Sequence, residues 1–72
     1  MSTYLTVAKH ELEKSKAEAD GIANLLGGMM TDVENNPAFG RVVDLSAVIK
    51  GKTRATQLSA TISDIIERIE KA

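Results

Sequence analysis

Apolar and small residues in the first half of the chain recur at alternating steps of four and three residues. This spacing is typical of a helix that carries a coiled-coil seam, and it predicts a first helix over about residues 3–34. From Ile22 onward, further apolar residues flank the seam, so the apolar face widens toward the end of the helix. The seam positions are Met1, Leu5, Ala8, Leu12, Ser15, Ala19, Ile22, Leu26, Met29 and Val33.

The last third of the chain shows the same alternation of four and three. Its seam positions are Ala55, Leu58, Ile62, Ile65, Ile69 and Ala72. Two pairs of opposite charge, Asp64 with Arg68 and Glu67 with Lys71, stand four residues apart in the orientation that supports a helix. The pattern therefore predicts a second long helix.

The segment between these helices fits two structures. A helix is indicated by the spacing of Ala38, Val42, Leu45 and Ile49, whereas a strand is indicated by the alternation of Val43, Leu45, Ala47 and Ile49 with polar residues. We favour helix, because the flanking segments are helical and no other segment offers a partner strand. A strand over residues 41–49 remains the alternative.

The strongest break in the pattern is Asn35-Asn36-Pro37, because asparagine ends helices readily and the residue before proline disfavours helix. We therefore expect a turn over residues 35–38 and a second helix over about residues 39–71. The seam changes phase between Ile49 and Ala55, which predicts a bend near Gly51, over residues 50–53. The fold expected for residues 1–72 is a single all-α domain, a two-helix hairpin.

Three glycines, Gly21, Gly27 and Gly28, lie within the first predicted helix. Each glycine lowers the stability of a helix by about 1 kcal/mol relative to alanine, so a structural reason for these glycines is expected. The glycines either permit the close approach of another helix or a ligand, or mark a kink or helix end near Gly27. The sequence leaves both interpretations open.

The hairpin is expected to self-associate into a homo-oligomeric helical bundle, a dimer or a larger assembly. A core of this size rarely supplies more than about 3–5 kcal/mol of stability. The chain has no cysteine that could form a disulfide, and its single histidine cannot form a multi-histidine metal site. The apolar faces are broader than two helices can cover, and each large side chain left exposed forfeits about 1.5–3 kcal/mol. The predicted interface residues are Leu5, Leu12, Ile22, Leu26, Met29, Leu58, Ile62, Ile65 and Ile69.

Charge and hydropathy narrow the range of partners. Nine basic and ten acidic residues give a net charge of −1, which lacks the basic surplus of a nucleic-acid-binding protein. No apolar run approaches the roughly 20 residues of a membrane span, and the first residues do not form a signal peptide. We expect no nucleic-acid or membrane partner and a cytoplasmic location.

The closest approach to a ligand-binding motif is Lys50-Gly51-Lys52-Thr53, which ends like a phosphate-binding loop. Ser46 stands where that motif requires glycine, and 72 residues cannot supply the surrounding α/β sheet, so a nucleotide hydrolase is excluded. A weaker hypothesis remains, since helix N-termini attract anions and a helix start is conceivable here. The candidate anion-binding residues are Arg41, Lys50, Lys52, Thr53 and Arg54; the alternative is a solvated charged surface.

No set of residues specifies catalysis, a metal or a cofactor. His10 lies on the outer side of the first helix, without a cleft or an orienting partner. The acidic residues of that helix alternate with lysines, as on a solvated face, and no Glu-x-x-His pattern is present. We expect no enzymatic activity.

Two functions follow as hypotheses. The first is a non-enzymatic homo-oligomer that acts as an adaptor or inhibitor by binding another protein through an apolar helix face. The second is a protein that binds or sequesters a phosphorylated small molecule, such as a nucleotide, at sites between subunits. A small accessory protein of a phage or plasmid could work in either way.

Overall fold

A computed structural model of the chain describes residues 2–72, which form three α-helices and no strand. The helices are α1 (Thr3–Asn35), α2 (Pro37–Val42) and α3 (Leu45–Lys71). The all-α prediction is confirmed, although the segment after the central break forms two helices rather than one. Met1, the first predicted seam position, lies outside the described residues.

Polar side chains cap the first turns of α1 and α2. At the start of α1, the Ser2 hydroxyl accepts a hydrogen bond from the Leu5 amide at 3.2 Å. Between α1 and α2, the side-chain oxygen of Asn36 accepts from the amides of Ala38 and Phe39 at 3.1 and 3.2 Å. Pro37, which has no amide hydrogen to leave unpaired, occupies the first turn of α2. Because Asn36 both ends α1 and caps α2, the break is a single residue, shorter than the predicted turn.

The second break lies at Val43 and Asp44, not near Gly51. The Asp44 carboxylate accepts from the Ser46 amide at 3.0 Å and so caps α3, which then continues unbroken through Gly51. A β-carbon placed on Gly51 would lie 2.9 Å from the Leu26 Cδ1 atom. The small size of Gly51 thus lets α1 and α3 approach closely and does not produce a helix break. Apart from Val43 and Asp44, residues 41–49 are helical.

Helices α1 and α3 pack side by side in opposite directions. Lys9 near the start of α1 forms an ion pair with Glu70 near the end of α3, at 3.5 Å. Further along α1, Asp20 accepts a hydrogen bond from the Ser59 hydroxyl. The described residues extend over 53 × 14 × 13 Å, so the molecule is a slender pair of helices with α2 packed against α1 near one end.

The core between α1 and α3 is thin. The buried hydrophobic residues are Ala19, Val48, Ala55, Ile62 and Ile66. They share the interior with one buried polar residue, Ser59. No large side chain among residues 2–72 is fully enclosed. Two alanines and a serine among so few core positions leave little apolar burial to stabilise a lone chain.

Candidate functional site

A polar cleft lies along one side of the contact between α1 and α3. It has a volume of about 420 Å³ and is lined by Asp20, Ala23, Asn24, Lys52, Thr56 and Ser59. The two helices supply these residues at spacings of three and four, so they form one line on each helix. We refer to this surface as the polar cleft.

Asp20, one of the residues that line this cleft, links the two helices. Its carboxylate accepts hydrogen bonds from the Ser59 hydroxyl and from the Lys16 ammonium, the latter at 3.0 Å. The hydrogen bond from Ser59 and then that from Lys16 lower the pKa of Asp20, because both favour the charged carboxylate. Asp20 therefore keeps Ser59, a buried polar residue, satisfied across the helix contact.

Lys52 lines the polar cleft and carries a positive charge that no carboxylate among the described residues of the cleft pairs with. Its side chain is half-buried, and a β-carbon placed on Gly27 would lie 3.3 Å from its Cε atom. Within residues 2–72, no carboxylate lies at ion-pair distance from its ammonium. A second cleft of about 340 Å³ shares Lys52 and Thr56 with the first and adds apolar side chains, including Met30 and Ile49. Lys52 thus stands where a polar and a more apolar cleft meet.

The five residues predicted to bind an anion are not brought together. Lys52 and Thr53 line the clefts, whereas neither cleft is lined by the exposed residues Lys50 and Arg54 on α3 or by Arg41 at the end of α2. Neighbouring residues of a helix point about 100° apart, which separates side chains that are adjacent in sequence. The helix start invoked for this site lies instead at Leu45, so the amides of residues 50–54 belong to the interior of α3.

An apolar strip lies on the other side of the helix contact. It consists of Ile22 and Leu25 on α1 and Leu58 and Ile65 on α3, with exposed fractions of 51%, 64%, 53% and 40%. The ion pair of Lys9 with Glu70 and the hydrogen bond of Ser59 to Asp20 mark the polar side of both helices. Helical geometry places these four residues on the opposite side, where residues 2–72 cover them only in part.

The predicted interface residues differ in how far the fold buries them. Ile22, Leu58 and Ile65 are exposed in the apolar strip, while Ile62 is buried between α1 and α3. The remaining five are half-buried: Leu5, Leu12, Leu26, Met29 and Ile69. Sequence reasoning did not identify Asp20 and Ser59 as a contact, because 39 residues separate them and each resembles an ordinary surface residue.

The remaining chemistry is sparse. His10 is exposed, and no group of three or more His, Cys, Asp or Glu side chains within residues 2–72 is arranged to hold a metal ion. No helix in the described part of the chain has both the length and the apolar character needed to cross a membrane. The chain matches no protein-family model, no curated protein and no solved structure.

Proposed function

We propose that this chain is a non-enzymatic interaction protein that self-associates into a helical bundle and acts as an adaptor or inhibitor of another protein. The apolar strip supports this proposal. Ile22, Leu25, Leu58 and Ile65 expose between 40% and 64% of their surface on one side of the paired helices. Exposed apolar side chains grouped on one side of a protein are typical of interaction sites.

The thin core favours a second copy of the chain as the first partner. Ile62 and Ile66 are the only large side chains besides Val48 among the buried hydrophobic residues of the described chain. Covering a half-exposed leucine or isoleucine would contribute about 1 kcal/mol, roughly half the value for burying the whole side chain. Four such residues in each copy would add a second core beside the first, as in a four-helix bundle.

A further protein could dock on the same side of α1, nearer its start. Tyr4 and Val7 lie there at helical spacing with exposed fractions of 79% and 56%. An amphipathic helix presents such residues to a groove on its target. In the proposed adaptor or inhibitor, self-association therefore uses the apolar strip, and target binding uses Tyr4 and Val7.

Self-association is tested by native mass spectrometry and sedimentation equilibrium of the wild-type chain and two variants. Leu58→Asp with Ile65→Asp places charge in the apolar strip and should yield monomers. The control Val42→Asp places one aspartate on α2, at a residue that is 84% exposed, and should leave the subunit count unchanged. A wild-type chain that remains a folded monomer over the whole concentration range contradicts the proposal.

Lys52 favours a second candidate function, the binding of a phosphorylated small molecule in the polar cleft. Its ammonium is half-buried and has no acidic partner within residues 2–72. Asn24 and Thr56 add hydrogen-bonding groups around it. The adjoining cleft, which contains Met30 and Ile49, offers apolar surface to the rest of such a ligand.

Calorimetric titration with ATP and with inorganic phosphate tests this second function. Lys52→Ala should weaken binding at least about tenfold, since a hydrogen bond to a charged group is worth about 1.5–3 kcal/mol. Lys50→Ala is the matched control, because Lys50 is exposed and lines neither cleft. The second function fails if the wild-type chain binds neither probe, or if both variants lose binding equally.

A further inference from the structure

We infer that the apolar strip is covered by a second copy of the chain whose α3 lies against α1 of the first, with the twofold axis parallel to the helices. The inference rests on the proposed self-association and adds its geometry. It predicts which helices of the two copies are in contact. The argument rests on exposed charged residues of α1 and α3 that lie on the same helix faces as the apolar strip.

Beyond its apolar part, the line of residues that carries the strip on α1 holds two glutamates, with Lys14 between them. Glu11 and Glu18 precede Ile22 and Leu25 on this line at steps of seven, four and three residues. All four side chains are exposed. Glu11 forms an ion pair with Lys14 at 3.5 Å, and Glu18 has no ion pair within residues 2–72.

The corresponding line on α3 is basic. Arg54 precedes Leu58 by four residues, and Arg68 follows Ile65 by three. Both arginines are exposed. Arg68 is bonded to Asp64 at 2.9 Å, an exposed pair of the kind that contributes little stability and can be exchanged for another. The apolar strip is thus flanked by acid on α1 and by base on α3.

Symmetry allows two ways to cover the strip with a second copy, since a twofold interface uses the same surface of both chains. An axis across the helices places α1 against α1 of the partner subunit, so that acid meets acid. An axis along the helices places α1 against α3 of the partner subunit, so that acid meets base. Charge complementarity selects the second arrangement.

The alignment of the helices within one chain supports this choice. Because Lys9 pairs with Glu70, Glu11 and Arg68 lie at the same height along the molecule. An axis parallel to the helices preserves height, so Glu11 would face Arg68 of the partner subunit. By the same reasoning from the Asp20–Ser59 hydrogen bond, Ile22 lies close to the height of Leu58 and would meet that residue of the other copy.

Charge reversal tests the arrangement. Variant one carries Glu11→Lys and Glu18→Lys, and variant two carries Arg54→Glu and Arg68→Glu. Each alone should self-associate at least about tenfold more weakly than the wild-type chain, because the contact of Glu11 with Arg68, which occurs twice in a symmetric dimer, changes from attractive to repulsive. Mixing the two variants, or combining all four changes in one chain, should restore association. The control Glu13→Lys with Glu67→Lys reverses as many charges on the polar-cleft side and should associate like the wild type.

Sedimentation equilibrium and far-ultraviolet circular dichroism separate the outcomes. If a single variant loses helix when alone, recovery of helix on mixing carries the same information as recovery of association. Variant one associating as tightly as the wild type overturns the geometry, since that result fits an α1-to-α1 contact. Mixing that restores neither association nor helix also overturns it. A monomeric wild-type chain refutes the proposed self-association itself, and is thereby distinguished from a dimer of different geometry.

Discussion

Replacing Ile62 with alanine should separate the contact within the chain from the contact between chains. Ile62 is 6% exposed between α1 and α3. Ile65, three residues along the same helix, is 40% exposed in the apolar strip. The matched substitution Ile65→Ala removes the same atoms from the same helix, so the difference in helix propensity between isoleucine and alanine cancels in the comparison.

The magnitude follows from the burial of each side chain. Truncation of a buried isoleucine to alanine costs about 2–5 kcal/mol, and we expect about 3 kcal/mol at Ile62. That loss would remove most of the roughly 3–5 kcal/mol available to a core of this size. At Ile65, which is partly exposed in the single chain, we expect about 1 kcal/mol in dilute solution. The cost at Ile65 should grow with protein concentration, because association buries what remains exposed.

Urea denaturation followed by circular dichroism measures both costs, with the free energy of unfolding extrapolated to water at several chain concentrations. Equal costs for the two variants in dilute solution would show that the division between the core and the apolar strip is wrong. A cost at Ile65 that does not change with concentration would show that this residue is not covered by a second copy.

Two further predictions concern α1. A β-carbon on Gly21 would meet nothing within 4 Å, so Gly21→Ala should raise the free energy of unfolding by about 1 kcal/mol in urea denaturation; a loss of stability would indicate that another chain approaches this glycine closely. The pKa of Asp20 is lowered from its ordinary value of 3.8 in the folded chain by hydrogen bonds from Ser59 and Lys16. Its contribution to stability is therefore present above that ordinary value and is lost as the pH falls through the lower, folded value. An acid titration of stability should therefore be flatter in Asp20→Asn, and an unchanged slope would contradict this role.

The periodicity of the sequence predicts the helices well but does not predict which face of α3 meets α1. Leu58 and Ile65 follow the alternation of four and three residues together with Ile62, so the sequence predicts that all three face the seam. The structure instead turns Ser59 and Ile66 inward beside Ile62. Hydrophobicity alone could not show this rotation, because the acceptor that makes a buried serine tolerable comes from distant α1.

The breaks and the candidate site were predictable to different degrees. The break at Asn36 follows from local chemistry, since Pro37 and the capping side chain are adjacent in sequence. The absence of a break at Gly51 depends on the neighbouring Leu26, which only the fold places there. The sequence predicts Lys52 as a candidate ligand-binding residue, but the position of Lys52 in the clefts depends on the orientation of α3, which the sequence pattern leaves open.

The opposite directions of α1 and α3 give the molecule two unlike tips. Ser2 and Lys71 lie at one tip, as the nearby Lys9–Glu70 ion pair shows, and α2 lies at the other, about 53 Å away. A tag, label or additional domain joined to either of these residues would leave from the same tip. If the protein were attached to a surface through Ser2 or Lys71, α2 would therefore lie at the tip farthest from that surface.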